Sequence, residues 1–287
     1  MPKRRIQSTL SLEGETQMSS ILTNVGAMAA LQSINTTARS LTQTQNHIST
    51  GLRVETAKDD SSTWAIATAM RGDVSGFKAI SDNLALSTST IGVASKGAET
   101  ITSLLNQIKD KVVQANGTGV DTAKIQSDVD QLVQQIDSVA NAAEFNGLNF
   151  IKATPDSANL LASMDRSSGS LAVKTIAVTG ADLTSTGLSI GSLDVTSATA
   201  LTDVETAIGT ASAAAAQFGS VQNRLSIQSD FVKSLTDALT TGIGSLVDAN
   251  MEEESARLSA LQVQQQLGVQ SLSIANSTPQ SILTLFR

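Results

Sequence analysis

One run of residues limits what this chain can fold into more than any other. Between Met70 and Val112 apolar residues return every seven positions without a miss, at Met70, Phe77, Leu84, Ile91, Ala98, Leu105 and Val112. A second row, one turn away, holds Ile80, Ala94, Ile101 and Ile108. With 3.6 residues per helical turn, a seven-residue repeat stays on one slowly winding seam, so the pattern asks for a partner helix and a left-handed supercoil. No proline interrupts it, and Asn116-Gly117 supplies a stop. At about 1.5 Å per residue, about fifty helical residues make a rod of roughly 75 Å. Such a rod does not fit inside a compact globule, and the expectation is an extended molecule built from bundled helices.

The flanking segments repeat the theme. A first seam runs Leu31, Ile34, Ala38, Leu41, Gln45, Ile48 and Leu52, broken by Gly51 and the polar loop 55–62. After the long helix, Ile125, Val129, Leu132, Ile136, Val139 and Ala143 form a third seam. Gly147, between Asn146 and Leu148, is a turn signal. Over residues 151–200 the period changes: 171–178 and 188–195 are rich in β-branched residues, with Gly at 169, 180, 187 and 191. These read as short strands and hairpins. From Leu201 the seam returns through Val204, Ala207, Ala211, Ala214, Phe218, Val221, Leu225, Gln228, Val232, Leu235 and Leu239. Gly242 and Gly244 are expected to loosen the chain before a last helix over about 247–274, which Pro279 should end. That helix carries two apolar rows, one of Leu258, Leu261, Gly268 and Leu272, the other of Ala260, Val263, Leu267 and Ile274. Together they make a face wider than one partner covers.

The fold class that follows is mainly α: an elongated antiparallel coiled-coil or helical-bundle rod with a small β-hairpin insert. Residues 18–60 and 247–287 are expected to be the two halves of a terminal coiled-coil domain. Residues 61–150 and 201–246 are the two halves of a rod domain, and 151–200 the small β insert. In residues 1–17, Lys3-Arg4-Arg5 is followed by a stretch holding Glu13, Gly14 and Glu15, which is no apolar core of a cleaved signal. This stretch is expected to be a disordered or artefactual extension ahead of Met18. Terminal helices with mostly Ala, Gln and Ser between seam positions are marginal alone. They are therefore expected to fray in the monomer and to order against neighbouring copies.

Composition removes other classes. Aromatic residues are 2% of the chain, with no Tyr and one Trp, which speaks against a large aromatic-rich enzyme core. A formal charge of -7 opposes a nucleic-acid partner, since phosphate binding needs a basic face. Without cysteine there are no disulfides or thiolate metal sites, and no run of eighteen apolar residues offers a membrane-spanning helix. No G-x-S-x-G, phosphate loop or paired catalytic carboxylates appear, so no enzyme, cofactor or metal is expected. His47, the one histidine, reads as structural or exposed. Lys58-Asp59-Asp60 reads as a loop with local hydrogen bonds rather than a cation site, and Trp64 as a hydrophobic anchor. Glu252-Glu253-Glu254 complements the dipole of the last helix.

Five motifs, in order along the chain, resemble those of the bacterial flagellins. Ser20-Ile21-Leu22-Thr23-Asn24 is similar to their S-I-x-T-N opening, and Ser49-Thr50-Gly51-Leu52-Arg53, running on to Ala57-Lys58-Asp59-Asp60, to their S-S/T-G-L-R-I-x-x-A-K-D-D segment. Phe145-Asn146-Gly147 matches a central F-N-G, Val221-Gln222-Asn223-Arg224-Leu225 looks like V-Q-N-R-F/L, and 279–287 resembles the P-Q-x-x-L-x-L-x-R ending. The run 264–272 is similar to alphaproteobacterial members, and only about fifty residues between the helical halves mark a short form.

The resemblance implies a structural subunit, exported unfolded through the flagellar type III apparatus, that polymerises into the extracellular filament for swimming motility. Its partners would be itself, in a helical homopolymer or mixed with other flagellins, with an export chaperone, the filament cap and hook-associated junction proteins. On this reading a self-assembly seam uses Leu31, Ile34, Leu41 and Ile48 with Leu258, Leu261, Val263, Leu267, Leu272 and Ile274. The rod core uses Met70, Phe77, Leu84, Ile91, Leu105 and Val112 with Phe218, Val221, Leu225, Val232, Leu235 and Leu239. Where some flagellins show R-x-R-E-L to an innate immune receptor, this chain has Gln107 to Lys111, which implies poor recognition. The rival readings are a hook–filament junction protein and a cytoplasmic coiled-coil scaffold, a stable dimer at micromolar concentration.

Overall fold

A helix leaves backbone groups open at both ends, and at several ends here a side chain or a glycine satisfies them. The computed structural model describes residues 23–165 and 172–285, with side chains at its C-terminal end through residue 277. The expectations for 1–17, Met18, the 20–22 part of the opening motif and the last two residues lie outside the described residues. Helix α1 spans Val25–Thr50, with Asn24 as N-cap accepting from the Ala27 N–H at 3.0 Å. It stops at Gly51, whose φ of 73° is the left-handed conformation that glycine adopts without penalty. Helix α2, Ser61–Ala115, starts on Asp60, whose carboxylate accepts from the Ser62 and Thr63 N–H groups. Helix α3 is Thr122–Ala142, strands β1 and β2 are Ser157–Asp165 and Ala172–Thr179, and helices α4 and α5 are Ala200–Val247 and Met251–Leu285.

The chain divides into two compact units, one of Met1–Ala65 with Ser245–Arg287 and the other of Ile66–Gly244. In the second unit, α2 and α4 run antiparallel. Lys109 pairs with Glu205 at 2.9 Å, and the positions of Gly92 and Gly242 face Gln222 and Met70. Helix α3 returns along α2, tied by Lys111 to Asp128 at 2.6 Å. At Gly97 the missing side chain makes room for Ile151 and Ala143. All of the α2 core residues named above are buried except Met70, which is half-buried, and the whole second row is buried. On α4, Phe218, Leu225 and Val232 are fully buried while Val221, Leu235 and Leu239 are half-buried. On α3 the seam is rotated slightly from the expected one, since Val133 and Ala140 are buried where Leu132 and Val139 are half-buried.

The strands pair antiparallel from Ser157 opposite Thr179 to Asp165 opposite Ala172, with a register shift between Leu161 and Ser163. Leu160, Ala162, Ile176 and Val178 face the core, and Met164 packs over Gly76.

Three expectations need correction. Residues 188–195 are not a strand but a series of turns. Leu188, Ile190, Leu193 and Val195 are buried, and α3 side chains bond the backbone that a strand partner would have bonded. Asp137 accepts from the Ser185 N–H and hydroxyl at 2.7 and 2.8 Å. Gln126 donates to the Leu193 carbonyl and accepts from the Val195 N–H. Gly242 and Gly244 do not loosen α4, which continues to Val247; at Gly242 the absent side chain lets the Met70 methyl approach closely. Helix α5 does not end near Ile274 or at Pro279 but at Leu285. Proline removes one bond of the ladder, which the adjoining turns tolerate here.

Candidate assembly surface

In the first unit α1 and α5 lie antiparallel. Asn24 Nδ2 donates to the Ala275 carbonyl at 2.7 Å near one end, and a side chain at Gly268 would stand 2.9 Å from Ile34 Cγ1 midway. At the other end Leu52 bridges Asp248, Arg53 N donates to the Val247 carbonyl at 2.7 Å, and Ala249 N to that of Gly51 at 2.9 Å. Asn250 accepts from the Glu252 N–H at 3.1 Å and starts α5.

The spacing of threes and fours predicts which residues turn inward. On α1, Ile34, Ala38, Leu41 and Ile48 are half-buried, and on α5 so are Leu258, Leu261, Gly268 and Leu272. None is fully buried. The other row of α5 faces outward: Val263, Leu267 (57% exposed) and Ile274, joined by Val269. On α1, Val25, Met28 and Leu31 are exposed as well. These seven large apolar side chains are exposed in a single copy. Fully burying one such side chain is worth about 1.5–3 kcal/mol, so covering seven that are already part-buried yields a substantial driving force per subunit.

The two fully buried residues of this helix pair are both polar, Thr44 on α1 and Glu254 on α5, among the residues whose side chains are described. His47 Nδ1 lies 3.0 Å from Glu254 Oε1, which assigns the ring proton to Nδ1. Arg257 Nη1 stands 3.9 Å from the same oxygen, and Glu254 Oε2 has no hydrogen-bond partner. The His47 hydrogen bond, opposed by burial and supported by the nearby Thr44 hydroxyl, holds the Glu254 carboxyl below its usual range. Nothing local in the sequence signals this pair, because its members are 207 residues apart.

The loop before α2 completes the site. Asp59 accepts from the Thr56 N–H at 2.9 Å and hydroxyl at 3.0 Å, and Asp60 from the Thr63 hydroxyl at 2.6 Å. Those bonds hold both carboxyls below the ordinary aspartate range. Lys58-Asp59-Asp60 thus shapes the loop and caps a helix. Together with His47, Arg53, Glu254 and Arg257, the loop lines an open cleft of about 810 Å³. Trp64 is half-buried in the first turn of α2.

Models of the bacterial flagellin N-terminal and C-terminal helical regions match residues 21–155 and 201–286. The chain is 41% identical over 281 residues to a flagellin of Brucella melitensis biotype 1, covering 94% of this chain and 100% of that one. It is 40% identical to flagellin FljM of Caulobacter vibrioides, covering 94% of this chain and 99% of the relative. A solved structure described as a flagellar hook-associated protein from Vibrio parahaemolyticus shares the fold, with a TM-score of 0.51 at 15% identity, over 66% of this chain and 100% of that one.

Proposed function

The chain belongs to the bacterial flagellin family and is a structural subunit of the flagellar filament, and from that premise we propose that α1 and α5 are the segments through which copies join. The observation that carries the reading is the outward apolar row of α5, with Val263, Leu267 and Ile274 exposed. A row at helical spacing that its own partner helix leaves uncovered is buried by further helices of the same kind. Burial of that row drives polymerisation, and the half-buried inner row orients α1 on α5 so that the outer row is presented as one strip. The product works outside the cell as the extracellular filament, after export, and has no catalytic role. An export chaperone, the filament cap and hook-associated junction proteins are its further partners, each meeting the same terminal helices. The stretch from Gln107 to Lys111 gives poor innate-receptor recognition; strong activation by purified monomer, lost on mutating that stretch, would contradict this.

The test is Leu267→Asp, an outward position. The variant is expected to keep its helical content and to leave the Ile66–Gly244 unit unchanged, while sedimentation and electron microscopy show no filaments. Filaments formed at the wild-type concentration threshold would refute the role given to this row.

A further inference from the structure

Helix α4 carries large apolar side chains on the side turned away from its core. Phe218, Leu225 and Val232 point inward and are buried, whereas Ile227 is 63% exposed and Phe231 56% exposed. These two stand four residues apart, which sets them side by side on one helix face. The outward row continues through Ser234, Ala238 and Thr241 at gaps of three and four, all exposed. A lone exposed apolar residue needs no explanation, but an Ile–Phe pair in a row with its own helical spacing marks a contact surface.

The charges beside the row indicate what it meets. Asp230 and Asp237, seven residues apart, are exposed along one flank, and neither forms an ion pair among the described residues. On the outward face of α2, Arg71 and Lys78 are also exposed, seven apart and not ion-paired there. They flank the exposed small residues Gly72, Ser75 and Ala79, and a side chain added at Gly72 would meet nothing within 4 Å. With α4 laid antiparallel on α2, Asp237 comes level with Arg71 when Asp230 comes level with Lys78. The same flanks carry Lys233 on α4 and Asp82 on α2, again opposite in sign. One face offers large side chains and carboxylates, the other small side chains and cations.

We propose that the Ile227–Phe231 face of α4 docks on the Gly72–Ala79 face of α2 in a second copy of this chain. The occupant is a second copy because the matching charge pattern lies on this chain's own α2. Both faces turn away from the α2–α4 seam, so they cannot meet within one copy. Because they differ, the contact is heterologous: each copy gives one face and receives on the other, and the contact repeats without closing into a pair, as a filament requires. It lies wholly within the Ile66–Gly244 unit, uses neither α1 nor α5, and is a second junction beyond the one proposed above. Burial of Ile227 and Phe231 drives it, and the rim charges set direction and register.

The chain has no cysteine, so thiols can be placed where the contact needs them. Full-length protein carrying both Ser75→Cys on α2 and Ser234→Cys on α4, two exposed positions, is treated with a short bis-maleimide as monomer and as polymer. A ladder of covalent oligomers is expected from the polymer alone, and no cross-linked product from either single-cysteine variant. Absence of the ladder overturns the proposal, and so does a dimer from one cysteine, which would mean that like faces meet. Gly72→Leu fills open space on a helix, so the unfolding midpoint of the monomer should hold or rise. Its critical concentration for polymerisation should nevertheless rise about tenfold or more, and a wild-type value would contradict the contact. Arg71→Asp and Asp237→Lys should each raise that concentration about threefold or more, and the two reversals in one chain should restore it. Failure of the double reversal to rescue the single defects also overturns the proposal.

Discussion

The two units of this molecule are written in the same heptad spacing and finish very differently. In the Ile66–Gly244 unit the seam sets large Phe, Ile, Leu and Val side chains among its alanines, and Leu84, Ile91, Leu105, Phe218 and Leu225 are wholly removed from solvent. In the unit made by α1 and α5 the seam is diluted with Ala, Gln, Ser and Gly. Along the two helices its apolar members are no more than half-buried, and among the described side chains the buried helix positions go to Thr44 and Glu254, with Val54 and Val247 buried outside the two helices. Periodicity decides that both are helical and antiparallel; side-chain volume decides which of them is a finished core. One unit closes a core of its own, and the other leaves apolar rows that, on the reading proposed above, further copies cover.

The contrast is open to direct attack. The largest effect should come from Phe218→Ala, which empties a fully buried ring that stands 6.4 Å from that of Phe150. A loss of about 3–5 kcal/mol is expected in the thermal or denaturant unfolding of the monomer. A loss below 1 kcal/mol would mean that the core is not built as described. Next comes Gly268→Val, whose side chain would collide with Ile34. It should cost about 1–3 kcal/mol, confined to the protection of α1 and α5 and leaving the main unfolding transition unmoved. If that transition shifts too, the two units are not energetically separate.

Acid should act on the same unit with a definite sign. Because the folded-state carboxyl of Glu254 titrates below its ordinary value of 4.5, its contribution is fully present above that value. It is lost as pH falls from there through the lower folded value. Amide protection of α1 and α5 should therefore drop over that interval in wild type and not in Glu254→Gln; equal acid sensitivity would refute the assignment. The smallest effect belongs to Lys96→Ala. That residue's pairing with Glu99 at 3.1 Å is between two largely exposed side chains, and the expected change is under about 0.5 kcal/mol. A larger loss would place Lys96 in a role the structure does not give it.

Much of this was legible in the residues themselves. The rows on α2 and α4 named the core because large apolar side chains at helical spacing have one stable arrangement, and Gly51 and Asp60 marked the break between α1 and α2. The insert was legible only as a change of period. Strand β1 is Ser157–Asp165, whose Ala, Leu and Met come with no β-branched or aromatic residue and so carry little strand signal. Residues 188–195 alternate like a strand, but Leu193 and Val195 bond Gln126 on a neighbouring helix, as Ser185 just upstream bonds Asp137, a choice made by tertiary packing. Gly242 and Pro279 looked like helix breakers by local preference, yet the helices run through both. For the candidate site, the two rows of α5 were readable from spacing. The His47–Glu254 pair was not, since only the antiparallel return of α5 brings the residues together.

The central claim is that α1 and α5 are completed by other copies, and hydrogen exchange tests it most directly. Amides of both helices should exchange within seconds to minutes in the monomer and at least about a thousandfold more slowly in the polymer, while those around Ile91 and Leu105 stay protected in both. Equal protection of α1 and α5 in monomer and polymer would contradict the account.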